Sequence, residues 1–179
     1  MKDIYDRLSQ NISARVMYEY STSFFLATTM LSRRNKQAIY ALYGFVRLAD
    51  EIVDSFHDFD KRKLLDEFES EFDKSIETKI SINPIINSFQ KIYHEYNFEH
   101  VLVKSFINSM RHDLDYKLYS KDALNHYIHG SAEVIGLMCL KIFVNGNQEK
   151  FTKLKDSAIS LGIAFQKINF LRDLKYDHN

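Results

Sequence analysis

Apolar residues return at alternating steps of three and four through residues 38–54, AIYALYGFVRLADEIVD. Ile39, Leu42, Val46, Ala49 and Val53 thereby lay one stripe along a helix. No Pro interrupts the run, and its lone Gly44 is tolerable in a helix. The same period predicts an amphipathic helix over residues 1–20 (Ile4, Leu8, Ile12, Val16, Tyr20) and a charged one over 60–78, with Leu64, Leu65, Phe68, Phe72 and Ile76 on one side. Asn83-Pro84 marks a turn and starts a helix to about Tyr96. A further helix after Asn97 carries Val101, Leu102, Ser105, Phe106, Ser109 and Met110 into MRHDLDYKLY, where His112 reads as exposed or structural. Ser120-Lys121-Asp122 caps the next, which is almost wholly apolar after Gly130 and so expected to be buried. Its small residues Gly130, Ser131, Ala132 and Gly136 leave room on one face, for a neighbouring backbone or for a ligand. Asn145-Gly146-Asn147 ends that helix, and the last one runs from about Glu149.

Composition narrows the picture. With 179 residues the chain suits one domain, taken as residues 1–179, with a real core. A single Pro and five Gly are too few for the many tight turns of an all-β fold, so the periodic runs point to an all-α bundle. Lys and Arg (24) balance Asp and Glu (24), and no basic cluster stands out, which argues against a nucleic-acid partner. The lone Cys139 excludes a disulfide framework and suits the cytosol. The N-terminus is too polar for a signal peptide, and the longest apolar run, Ile135–Val144, contains Lys141 and is too short to span a bilayer. The expectation is a soluble, cytoplasmic protein, with peripheral contact at the inner membrane surface the alternative.

The candidate chemistry lies in acids on two helices. Taking Ile39 as zero and about 100° per residue, the central stripe covers roughly −80° to +40°. Asp50 falls at about 20°, inside it, and Asp54 at about 60°, on its border beside Tyr43 and Arg47. A carboxylate aimed at a core is costly unless something positive meets it, and two at i and i+4 can meet one hard cation. Spacing alone is weak, since Asp54/Asp58 and Asp173/Asp177 repeat it and the former runs into plainly polar sequence. On the last helix, with Ile159 as zero, Gly162, Gln166, Asn169, Asp173 and Asp177 share one strip between about −80° and 0°. Leu161, Phe165, Ile168, Leu171 and Leu174 occupy the other sides, so this helix is expected to be buried with one polar seam.

Two such helices facing each other would gather four carboxylates around one cavity, with Arg47 and Arg172 beside them. That set suits Mg²⁺ and a diphosphate, and apolar walls suit a hydrocarbon tail and a carbocation. Ser21-Thr22-Ser23 reads either as a helix cap or as a place for an anion, and both stay open. Ser32 caps the central helix.

SxSF (Ser21–Phe24), AIYALYGFVRLADEIVD, MRHDL (Met110–Leu114), YIHGSAEVIGLM and LGIAFQKINFLRDLKYD run in order across nearly the whole chain. Together they resemble the squalene/phytoene synthase family, the head-to-head isoprenoid synthases, with MRHDL and GLM closer to phytoene-type members. The resemblance implies an all-α isoprenoid-synthase fold and head-to-head condensation of two prenyl diphosphates in carotenoid and isoprenoid biosynthesis. Geranylgeranyl diphosphate to phytoene is the preferred reading, and squalene or dehydrosqualene from farnesyl diphosphate the runner-up. It implies Mg²⁺ (or Mn²⁺ in its place) held by Asp50, Asp54, Asp173 and Asp177, with NADPH used only by a squalene-type enzyme. Arg47 and Arg172 would contact diphosphate, with Ser21, Ser23 and Tyr43 near the same site. Gln166 and Asn169 would line the cavity, and Tyr127 occupies a family Tyr position.

Departures carry expectations of their own. Ser32 stands where a Pro usually follows the Leu, and Glu133 replaces a Gly of the cavity helix, narrowing or re-polarising the cavity. Two residues follow Asp177, where family members continue through further helices. Weak or absent catalysis by this chain alone is the corresponding expectation, with self-association through the face left open. A non-catalytic helical subunit that binds a lipid or a completing partner is the reading from another class. A carboxylate-bridged di-iron bundle is excluded, because none of the seven His has a Glu three residues before it.

Overall fold

The computed structural model describes residues 2–115 and 129–176, and of residues 115, 129 and 170–176 the backbone only. Helices α1 (Lys2–Tyr20), α2 (Thr22–Thr29), α3 (Arg33–Asp54), α4 (Lys61–Thr78) and α5 (Pro84–Glu95) are followed by α6 (His100–Asp115). A short π-helical turn, His129–Glu133, leads into α7 (Val134–Val144), and α8 (Gln148–Tyr176) completes the order. Among the described residues there is no strand, and no helix is long and apolar enough to cross a membrane. Contacts gather into two compact units, Met1–Asn97 and Phe98–Asn179.

In the first unit, α1, α2, α4 and α5 all pack on α3. Expected boundaries hold where side chains cap backbone N–H groups: Ser32 accepts from Asn35 (3.4 Å), Asp60 from Lys63 (3.0 Å) and Asn83 from Ile85 (3.0 Å), one residue before Pro84. The core centres on Phe45, fully buried and stacked on Phe89 (centroids 3.9 Å), with Phe68 at 4.8 Å and Phe72 at 5.3 Å.

That centre corrects the stripe expected on α3. Leu42, Ala49 and Val53 are buried, but Ile39 and Val46 are only half-buried, while Ala38, Phe45 and Ile52 are fully covered. Tyr40, Ala41 and Gly44 are buried as well, so the buried set is centred roughly 100° from the expected stripe. The reason is that α3 is covered from several sides, so its widest side chain, not its cleanest repeat, sets the axis of burial.

Helix α1 corrects the expectation more sharply. Its buried positions are Asp6, Ser9, Ser13 and Met17, whereas Ile4 (63%), Leu8 (51%) and Tyr20 (49%) keep large exposed areas. The polar face turns inward because each group finds a partner. Asn87 on α5 donates to both Asp6 and Ser9 (3.1 Å each), Ser9 donates to the Tyr5 carbonyl (2.9 Å), and Ser13 to the Ser9 carbonyl (3.2 Å). Lys2 (3.2 Å) and Lys91 (3.4 Å) pair with Asp6. Small serines also let α1 approach α3 closely, since a Cβ on Gly44 would lie 3.2 Å from Ser13 Oγ.

Burial pushes the Asp6 carboxyl up, but the hydrogen bonds from Asn87 and Lys2 and the charge of Lys91 outweigh it and hold it below the ordinary carboxylate value. A depressed folded-state pKa contributes stability that is present above the unfolded value, about 3.9, and is lost as pH falls through the folded value. Asp6→Asn is accordingly expected to flatten the acid limb of stability below about pH 4. Urea midpoints of both proteins between about pH 2.5 and 7 check this; parallel pH profiles would contradict the assignment.

In the second unit, the small residues settle one of the open alternatives in favour of backbone packing. A Cβ on Gly130 would meet Ser109 Cβ at 2.6 Å and the Ser105 carbonyl at 2.8 Å. One on Gly136 would reach the Ala158 carbonyl at 2.8 Å, and one on Gly162 the Ala132 carbonyl at 2.7 Å. The π turn, α7 and α8 thus meet backbone to backbone, with Val134, Leu137, Met138, Leu140 and Ile142 filling the core. Gly162→Ala gains about 1 kcal/mol of helix propensity but loses about 1–3 to the clash with a carbonyl that has no flexible end to move. A lower urea midpoint is expected, and Gly136→Ala should behave alike.

Cys139 on α7 retains some open surface, yet its dense surroundings push the thiol up to about 12. Lys141 pairs with Glu99 at 2.7 Å and lies over the Phe151 ring. Asn145 (φ 51°) and Gly146 (φ 76°) adopt left-handed conformations and make the expected stop between α7 and α8.

Candidate functional site

The C-terminal half of α3 carries the first set of candidates. Tyr43, Arg47 and Asp50 are half-buried and Asp54, the last helical residue, is exposed. Asp50 therefore lies at the edge of the turned arc and not inside the stripe, which corrects its expected placement: the rotation that brought Phe45 to the centre moved Asp50 outward. Half-buried at that edge, the carboxylate is still accessible to a cation.

Charges in this cluster act on one another. Burial raises the Tyr43 hydroxyl pKa, with the charge of Asp50 adding to the rise and Arg47 opposing it. For Arg47, burial disfavours the cation, but the hydrogen bond to Glu51 and the charges of Asp50 and Glu51 prevail and hold it firmly protonated. Its Nη2 donates to Glu51 Oε2 at 2.5 Å, and its guanidinium lies 4.3 Å from the centroid of the Tyr20 ring. Arg47 Nε is buried without a hydrogen-bond partner. Burial works to raise Glu51, yet hydrogen bonds from Ser55, Arg47 and Tyr20 hold its carboxyl below the ordinary value.

Glu51 and Tyr20 are the members that sequence reasoning missed. The Arg47/Glu51 spacing of four was a visible signal for the first. Tyr20 falls on the apolar repeat of α1, and no local pattern places it over Arg47.

Ser21 resolves toward its capping role in this structure: its hydroxyl accepts from the Phe24 N–H at 3.4 Å at the start of α2. Ser23 is exposed. On α8, Gln166 and Asn169 are half-buried, as is Gly162, whereas Leu161 (59%), Phe165 (50%) and Ile168 (60%) are exposed. The seam is thus the more covered side and the apolar side faces out, which corrects the expectation of a helix buried all round. Gly162 explains the orientation, because only a residue without Cβ can meet the Ala132 carbonyl there. Arg172 and Asp173 lie within α8, but their side chains, together with Asp177 and Tyr127, fall outside the described residues. Among the described residues no three His, Cys, Asp or Glu side chains converge as a metal-binding group.

Asp50 and Asp54 are hard oxygen donors one helical turn apart, a set that fits one or two positions of a hard divalent cation whose other ligands come from substrate oxygens. Arg47, part of whose side chain stays exposed, adds guanidinium N–H groups that a phosphate oxygen would meet. A separate cavity of about 260 Å³ at the opposite end of α3 includes Arg33, Arg34, Lys91 and Glu95 in its walls. Arg34 is committed there to Glu95 (2.9 Å) and to the Tyr96 ring, and Lys91 to Asp6.

Comparison with known proteins gives a consistent result. A family model described as squalene/phytoene synthase matches residues 17–179. The chloroplastic phytoene synthase 1 of Zea mays is 26% identical over 181 residues, covering 99% of this chain and 43% of that protein. The farnesyl diphosphate phosphatase YisP of Bacillus subtilis (strain 168) is 28% identical over 179 residues, covering 99% of this chain and 61% of that protein. A solved dehydrosqualene synthase in complex with ligand superposes with a TM-score of 0.80 at 24% identity, over 93% of this chain and 57% of its own. The chain spans about half the length of the curated relatives it matches.

Proposed function

The chain belongs to the squalene/phytoene synthase family and has its all-α isoprenoid-synthase fold, and from that membership we propose that it carries a prenyl diphosphate site of the head-to-head synthase type. The supporting observation is the half-buried cluster of Tyr43, Arg47 and Asp50, within the matched region, with a partly exposed guanidinium on the same helix as a pair of carboxylates. The reaction it would serve is coupling of two prenyl diphosphates, geranylgeranyl diphosphate to phytoene being preferred to the farnesyl reaction.

Asp50 and Asp54 would hold Mg²⁺, with Asp173 and Asp177 the proposed second pair. Bound there, the metal supplies positive charge against the departing diphosphate. Arg47, fixed as a cation, contributes charge-assisted hydrogen bonds to the same group as its negative charge grows. Gln166 and Asn169 are proposed to line the cavity, and Ser21 and Ser23 to lie near the diphosphate, Ser21 by exchanging its capping bond.

A second reading is diphosphate hydrolysis. It is favoured by a relative named as a farnesyl diphosphate phosphatase. Incubation with geranylgeranyl or farnesyl diphosphate plus Mg²⁺, followed by extraction, separates the two. Hydrocarbon of doubled chain length supports coupling, prenyl alcohol with equimolar pyrophosphate supports hydrolysis, and unchanged substrate refutes both for this chain.

A further inference from the structure

Glu51 is out of place beside a site meant for an anion. Its charge opposes diphosphate, and with Arg N-terminal to Glu the pair runs in the less favourable order for supporting a helix. Its surroundings nevertheless fix it firmly: Arg47 at 2.5 Å and hydrogen bonds from Ser55 and Tyr20. The Tyr20 ring, meanwhile, covers the guanidinium at 4.3 Å. Arg47 is thus gripped at Nη2 and on one face, while Nε is shielded from water and unpartnered.

We propose that Tyr20 and Glu51 are positioning residues that clamp the Arg47 guanidinium and fix the direction in which its remaining N–H groups meet a diphosphate oxygen. This rests on the reading of the α3 cluster as a diphosphate site. An arginine side chain has many rotamers to lose on ordering, and a clamp removes that cost before the ligand arrives. The ion pair with Glu51 exacts some attraction for the anion in return for a fixed direction of donation. Arg47 touches the ligand; Glu51 and Tyr20 act through it.

The test uses the whole 179-residue chain with Mg²⁺ and inorganic pyrophosphate, followed by titration calorimetry and by the Arg47 Nε–H resonance, assigned through Arg47→Lys. Glu51→Asp keeps the charge but shortens the reach, and Tyr20→Leu removes the ring face. Each is expected to weaken pyrophosphate by about tenfold, and Tyr20→Phe to recover most of the affinity. In an Arg47→Ala background neither should matter by more than about twofold, as a coupled set requires. Without ligand, Glu51→Asp and Tyr20→Leu should each speed Nε–H exchange, with unchanged thermal midpoints.

Additive losses in the Arg47→Ala background, or an Nε–H already in fast exchange in the parent chain, would overturn the clamp while leaving the site itself standing. Pyrophosphate that neither binds nor shifts the Nε–H resonance, with exchange still slow and clamp-dependent, would instead remove the diphosphate reading and with it the purpose assigned to the clamp.

Discussion

Asp50→Asn should weaken Mg²⁺-dependent pyrophosphate binding by about 100-fold or more. Groups that only support metal ligands commonly cost 10–100-fold when removed, and Asp50 is proposed as a ligand itself. The amide retains shape and one acceptor but removes half the negative charge that the pair offers a hard cation. Asp58, which is exposed, provides the control: it sits one turn beyond Asp54 with the same spacing, yet Asp58→Asn should leave binding unchanged. The thermal midpoint of Asp50→Asn should not fall, because Asp50 is half-buried and not a core group. Calorimetric titration at fixed Mg²⁺ makes the comparison; a change below about threefold for Asp50→Asn would separate this acid pair from the chemistry.

The largest expected loss of stability is at Phe45. Truncating this fully buried ring to Ala removes its stack on Phe89 and its contacts with Phe68 and Phe72. Phe→Ala in a packed core costs about 3–5 kcal/mol, a large share of a typical total of about 5–15. Ile4→Ala, at a position that the hydrophobic pattern assigned to a buried stripe, should change stability by about 0.5 kcal/mol or less, since Ile4 is 63% exposed. Urea unfolding of the two variants would rank them. A costly Ile4→Ala would mean that the α1 stripe is covered after all.

Helix existence was legible in the sequence because it rests on local chemistry. Ser32, Asp60, Asn83 and Asn145 mark ends through their own hydrogen bonds or left-handed backbone, and α4, α5 and α6 lie where their periodicity puts them. Helix facing was less legible, because burial is decided by neighbours distant in sequence. On α1 the apolar repeat is real, yet Asn87, 81 residues from Asp6, makes the polar side the cheaper one to bury. On α3 an apolar stripe could be read from either of two arcs, and only the ring cluster supplied by α4 and α5 chooses Phe45 as the axis. On α8 the backbone contact at Gly162 outranks the amphipathic count.

The site follows the same division. Asp50, Arg47 and Tyr43 neighbour one another as their spacing along one helix requires, while the Tyr20 ring reaches Arg47 through the docking of α1 on α3.

Cys139 offers an intrinsic reporter. Burial pushes its thiol well above the ordinary cysteine value of about 8.5, so far less of it is reactive thiolate at neutral pH than in a solvated cysteine. Alkylation by a thiol reagent will therefore be slow in the closed molecule and faster in those in which α7 has transiently opened. Being the sole cysteine, it requires no engineered background, so its labelling rate becomes a clock for the breathing of the C-terminal unit alone.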